Sequence, residues 1–286
     1  MKKIKRIVFS IGIISLFGTL TFSCAKEDSL GDTVLIDEPA KKKTDLENWI
    51  DDTFLDTYNI RVYYKGEKNK TDLERYLTPP KLDRVWPALK VVNQVWLESY
   101  REIAGPKFLK DMNAREIVLI GSDNLNSNGT TTLGLADAGY RISLFSLDKI
   151  NLKSEAAVKQ YIHTIQHEYV HILNQTKPFN PNYEKITGNY QQDWHTFDTS
   201  EANDMGFISN YALSNANEDF AEQVSWMLRD IEEYRMIVNG VKDKAGQAKI
   251  LEKEAFVVEY YKTAFDIDLY ELCEIALRNT KIAASL

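Results

Sequence analysis

Apolar and polar positions along the chain change their period partway, and that change predicts the order of elements. Residues 60–64 (Ile-Arg-Val-Tyr-Tyr) alternate in a β-rich run and predict a strand. Residues 82–103 carry apolar side chains at helical spacing and predict one helix, ended near Gly105-Pro106. Two short apolar runs, 116–120 and 139–145, predict further strands, the second after a glycine-rich stretch around Gly129, Gly134 and Gly139. From there the period is helical almost throughout, over 154–175, 217–238, about 246–264 and about 267–283. Strands first and helices later predict an α+β domain rather than alternating βαβ units.

The amino terminus has a different pattern. Lys2, Lys3, Lys5 and Arg6 form a basic head before an apolar run over 7–22. That run is shorter than the roughly 20 residues a bilayer span needs, and its layout is that of a secretory signal. It closes on Leu20-Thr21-Phe22-Ser23-Cys24, which resembles a bacterial lipobox. The resemblance implies removal of residues 1–23 and acylation of Cys24, each buried CH₂ contributing about 0.8 kcal/mol to a membrane anchor. The alternative is an ordinary cleaved signal with a chance cysteine. Ala25-Lys26-Glu27-Asp28 resembles the signal that sends Bacteroidetes lipoproteins to the outer face of the outer membrane. Residues 24–44 are polar and aperiodic and read as a tether, which leaves 45–286 as one domain. The only other cysteine, Cys273, sits in an apolar helical pattern and reads as a core residue.

Composition narrows the class only a little. With 44% hydrophobic and 27% charged residues the chain is globular rather than disordered. A net charge of −7 without a basic stripe argues against a nucleic-acid partner.

The chemistry lies in the helix predicted over 154–175, which contains His167-Glu168-Tyr169-Val170-His171. Two histidines four apart share a helical face and can grip one Zn²⁺, with Glu168 beside the first placed to take a proton from water. Ile162, Ile165, Tyr169 and Ile172 supply an apolar face alongside. His163 is a turn earlier, but it and His171 are about 12 Å apart along a helix and cannot both reach one ion. The plainer reading makes His163 an ordinary helix residue; the alternatives put it behind the ligands or lining a cleft. Asn174 and Lys177 occupy the positions of the HExxHxxGxxH pattern, so the third ligand lies elsewhere. His195, in a polar loop beside Trp194, reads as solvent-facing. Glu218 and Glu222, four apart in a later helix, offer a carboxylate that would complete an open His₂Glu centre.

His167-Glu-Tyr-Val-His171, then Gly206-Phe-Ile-Ser-Asn-Tyr211-Ala, then Asn217-Glu218-Asp-Phe-Ala-Glu222 resemble the zinc-binding metallopeptidase lipoproteins of Bacteroidetes. The layout is also similar to the gluzincin catalytic domain of anthrax lethal factor, in which a Tyr precedes the liganding Glu by seven residues. The resemblance implies one zinc ion on His167, His171 and Glu218, Glu168 as general base, Tyr211 as oxyanion donor and Glu222 orienting a ligand histidine. It implies a zincin-like α+β domain: a small mixed sheet with an edge strand over the HExxH helix, then a mostly helical C-terminal half. Residues 139–145 are the expected edge, holding an extended peptide or protein substrate by strand addition. The expected protein is thus a surface-anchored zinc endopeptidase, attached to the membrane by lipid and with outer-membrane proteins as possible neighbours. Two other readings stay open, a non-catalytic or weakly active zinc-binding lipoprotein of a nutrient-capture system and a zinc hydrolase of a non-peptide amide.

Overall fold

The computed structural model describes residues 42–285 apart from Leu73, Asn113 and Ala138. The predicted leader (1–23), the lipidation at Cys24 and the tether up to residue 41 lie outside the described residues.

Helix α1 (Asp45–Ile50) starts at a capping box, in which the Thr44 side chain accepts from the Glu47 N–H and the Glu47 carboxylate accepts from the Thr44 N–H. A π-helical turn, Asp51–Asp56, carries the chain on to β1 (Arg61–Tyr63). The segment predicted as a helix over 82–103 is helical with a π-helical turn inside it, and a second short helix follows directly. Together they comprise α2 (Leu82–Val91), a π-helical turn over Val92–Leu97 and α3 (Glu98–Met112). Gly105 breaks α3 with φ 79° and ψ 167°, and Pro106 then occupies the first turn of the continuation, where a missing N–H costs nothing. The Gly-Pro pair therefore ends the first helix at Gly105, as its pattern predicts, and Pro106 opens a second one that runs to Met112.

Strand β2 (Glu116–Leu119) follows, then a small hairpin of β3 (Asn124–Leu125) and β4 (Thr131–Thr132), then β5 (Gly134–Asp137) and β6 (Arg141–Leu144). The main sheet has the order β1-β2-β6-β5, with β1, β2 and β6 parallel and β5 antiparallel to β6. This corrects the expected edge. The run over 139–145 does contain a strand, β6, but it is interior, and the edge beside it is β5. Gly134 and Asp137 weaken the strand signal of that segment, so tertiary pairing rather than propensity makes it a strand. The Phe145 N–H donates to the Leu133 carbonyl. Alternation along the ladder then turns the polar groups of Leu135 and Asp137 toward β6 and those of Gly134 and Ala136 to the open side.

The central helix, α4 (Glu155–Thr176), is buried at every position from Tyr161 to Val170. It packs on β5 and β6 on one side, while Tyr169 meets the rings of Trp96 and Tyr100, both at 5.0 Å, on another. The C-terminal half supplies α5 (Thr199–Met205), α6 (Ala216–Arg229), α7 (Ile231–Gly240), α8 (Lys244–Phe265) and α9 (Leu269–Ala283). The single helix predicted over 217–238 is two. Asp230 is extended and its carboxylate accepts from the Glu232 and Glu233 N–H groups, so it restarts the chain as the cap of α7. Cys273 is buried in α9, and burial pushes its thiol pKa up.

Candidate metal centre

Asn215 decides where the second half of the centre stands. Its side chain accepts from the N–H groups of Asn217 and Glu218, which fixes the first turn of α6 with Glu218 facing α4. There the Glu218 Oε2 lies 2.9 Å from His167 Nε2 and 3.2 Å from His171 Nε2, and the two imidazole nitrogens are 3.1 Å apart. Ligands about 2.0–2.1 Å from a tetrahedral zinc stand roughly 3.3 Å from one another. Two imidazole nitrogens and a carboxylate oxygen aimed at one point are three electron-pair donors, so the set suits a cation. The residues present fit zinc.

Behind the ligands lies a buried carboxylate. Glu222 Oε1 is 2.9 Å from His167 Nδ1 and 3.1 Å from His163 Nε2. Its Oε2 accepts from Ser209 Oγ at 2.5 Å and from Trp226 Nε1 at 3.2 Å. A proton on His167 Nδ1, held by Glu222, leaves the Nε2 lone pair facing Glu218 and His171. Burial alone would raise the Glu222 pKa, but His163 and His167 overcome it and hold the carboxyl well below its usual range. His163 is therefore no plain helix residue: it is the second histidine bound to Glu222.

The proton-accepting candidate, Glu168, is 7% exposed and packs beneath β5. The approach is so close that a Cβ on Gly134 would stand 2.6 Å from Thr164 Cγ2 and 2.8 Å from the Glu168 side chain. Burial raises the Glu168 pKa above the usual carboxylate value, while the neighbouring histidines and a hydrogen bond from the Ala136 backbone oppose the rise. Tyr211, on a 3₁₀ turn (Tyr211–Leu213), lies with its ring centroid 5.7 Å from that of His167 and packs on Trp194 at 4.8 Å. Burial and the negative charge of Glu218 and Glu168 keep its phenol protonated to high pH. His195 is exposed and belongs to neither histidine cluster.

A second buried charge ties these pieces together. Lys253 of α8 and Asp219 of α6 are both fully buried and 2.7 Å apart. The ammonium also donates to the Gly206 carbonyl at 2.9 Å and sits 3.9 Å over the Phe207 ring, while Tyr190 donates to Asp219 at 3.1 Å. One ion pair thus fastens the start of α6, with Glu218, to the 206–211 segment, with Ser209 and Tyr211. Nothing in the local pattern around Lys253 marks it for burial. Ser209 and Trp226 were equally hidden, although Trp226 lies four residues after Glu222 and shares its face.

The centre opens into a cleft with two adjoining parts. The wider, about 820 Å³, runs from β5 past His171 to Phe179, Glu184 and Asn217. The narrower, about 320 Å³, runs the other way to Trp194, Gln160 and Trp226. Both are bounded by Thr132, Gly134, His167, Glu168 and Tyr211.

Fold and site together define an α+β protein with a two-histidine, one-carboxylate centre of the kind that holds a divalent metal. Comparison with known proteins makes the class specific. A family model described as "Putative zinc-binding metallo-peptidase" matches residues 39–270, and the chain belongs to that family. It is similar to a crystal structure from Bacteroides caccae ATCC 43185 described as "a putative zinc-binding metallo-peptidase". The two share 27% identity with a TM-score of 0.71, over 87% of this chain and 97% of the other. No curated protein matches the chain.

Proposed function

We propose that the protein is a zinc-dependent endopeptidase of the gluzincin type, with one zinc ion on His167, His171 and Glu218. The observation that carries this reading is the meeting of those three side chains with Glu168 directly beneath an open strand edge. Zinc at that position supplies Lewis-acid polarisation of the scissile carbonyl and makes the attacking water more acidic. The protein's own residues do the rest. Glu168 accepts the proton of the attacking water and passes it to the leaving amine, a task its raised pKa suits. Tyr211 donates to the developing oxyanion, an interaction commonly worth about 10²–10³ in rate. Glu222 holds His167 in the tautomer that presents Nε2. The outward backbone groups of β5 that Glu168 does not already hold pair with an extended peptide laid along the cleft.

The lipobox resemblance at Cys24 supports a lipid anchor in the outer membrane, with the domain exposed at the cell surface beside other outer-membrane proteins. The test of the catalytic reading is cleavage of a proteome-derived peptide library by the zinc-loaded chain and by its Glu168→Gln variant. Cuts by the wild type alone are expected. No cuts by a folded, zinc-loaded preparation would overturn the reading in favour of a binding role or a non-peptide substrate.

A further inference from the structure

The cleft is unusual in its charge. Among the described residues, neither part is lined by a lysine or an arginine, although the chain contains 35 of them. The basic residue that follows α4, Lys177, turns away, donating to the Ala264 carbonyl over the Phe265 ring. With a divalent ion in place, Glu218 and Glu168 balance its two charges. Among the described residues, Glu184 then remains as the one unmatched formal charge on the wall of the wider part. It is exposed, and among the described residues it has no ion-pair partner. Its neighbour Lys185 donates instead to Asn182 at 2.8 Å.

The surroundings of Glu184 suit a long side chain with a charged end. Phe179 lines the same part of the cleft and is held rigid, stacked on Phe220 with centroids 4.4 Å apart and planes within 3°. Such a face takes the methylene stem of lysine or arginine while the cation remains in water beside a carboxylate. The narrower part offers Trp194, Trp226, Gln160 and threonines, with no formal charge beyond the centre's own groups. The two parts therefore make different demands on a substrate.

We propose that the wider part of the cleft is a subsite for a lysine or arginine side chain of the substrate, with Phe179 along its stem and Glu184 as its charge partner. This rests on the peptidase reading above. An acidic side chain in the same place meets repulsion and lacks any compensating cation.

The experiment compares kcat/KM of the zinc-loaded full-length chain on matched peptides that differ at one position, Lys, Gln or Glu, scanned on both sides of the cut. At one position the order Lys > Gln > Glu is expected, with Lys favoured over Glu by roughly tenfold and the ratio falling as salt is raised. Glu184→Gln brings that ratio close to one and Glu184→Lys inverts it, whereas Glu259→Gln, on the exposed face of α8, keeps the wild-type ratio. The same ordering is expected for peptide affinity to the zinc-loaded Glu168→Gln chain, read by fluorescence anisotropy. Cleavage without a charge preference, or with a preference that Glu184→Gln leaves intact, overturns the subsite and spares the peptidase reading. Failure to cut any peptide overturns both.

Discussion

Replacing Lys253 by methionine removes one partner of a fully buried ion pair and leaves the Asp219 carboxyl among aromatic rings, with the Tyr190 hydroxyl as a remaining donor. In the wild type, burial already pushes the Asp219 pKa up to about 6 against the pull of Lys253. Without Lys253 the carboxyl is best buried with a proton. The wild-type carboxyl, with a pKa of about 6, already bears most of the cost of that proton, so holding it at pH 7 adds about 1.4 kcal/mol in the variant, at 1.36 kcal/mol per unit. This is the pH-dependent part of the roughly 3–5 kcal/mol lost in all when a buried pair loses one member. The Gly206 carbonyl also loses its donor, which adds about 1 kcal/mol. For a domain of this size the total lowers Tm by roughly 8–20 °C. The deficit depends on pH. Asp219 holds its proton more tightly in the folded variant than in the folded wild type. The gap between them therefore widens as pH rises above about 6 and levels off below it. Urea unfolding of the metal-free proteins at pH 5.5 and 7.5 measures both effects without linkage to zinc. A deficit under about 1 kcal/mol, or one equal at the two pH values, would refute the reasoning. The double variant Lys253→Met, Asp219→Leu should regain most of the lost stability, because no charge is then buried.

Three other outcomes follow from the same geometry. Glu222→Gln, which removes the charge behind His167, should weaken zinc binding roughly 10- to 100-fold in a chelator competition. Gly134→Ala puts a methyl into the space of Glu168 and Thr164; kcat/KM on a cleaved peptide should fall roughly 10- to 100-fold while bound zinc is retained. Asp230 is held below the usual carboxylate range: burial raises its pKa, but Lys159 at 2.7 Å and the two α7 N–H groups outweigh it. Its stabilising effect is complete above its unfolded pKa of about 3.9 and lost as pH falls through the lower folded value. Denaturation curves for wild type and Asp230→Asn should thus differ at pH 7 by about 1 kcal/mol and draw together as pH falls through that lowered value.

The parts of the centre that sequence made legible are those set by local spacing. His167 and His171 share a face because four residues make about one turn, and Glu218 and Glu222 obey the same rule on α6. Which of those carboxylates does what is a matter of distance between helices, and the assignment came from the resemblance. The role of His163 is not legible in the sequence, because its partner, Glu222, is 59 positions away. The edge strand was misplaced for a similar reason. β6 has the stronger apolar pattern, yet an edge is defined by what does not pair with it, and Gly134 is tolerated in β5 because α4 presses against it. The break at Asp230 was readable in principle, since Asp230 precedes Glu233 by three residues as a capping box would require. Lys253 was not: a lysine in an amphipathic helix reads as surface until Asp219 and Gly206 are brought to it.

The most direct measurement is a zinc titration of the full-length chain beside its Glu218→Ala variant, with bound metal counted after gel filtration. The account predicts one zinc per wild-type chain and affinity lost by at least about a hundredfold in the variant, because a two-histidine site lacks the third ligand a catalytic zinc needs. Wild-type chain that takes up no zinc, or a variant that binds it as tightly as the wild type, would contradict the centre as assigned.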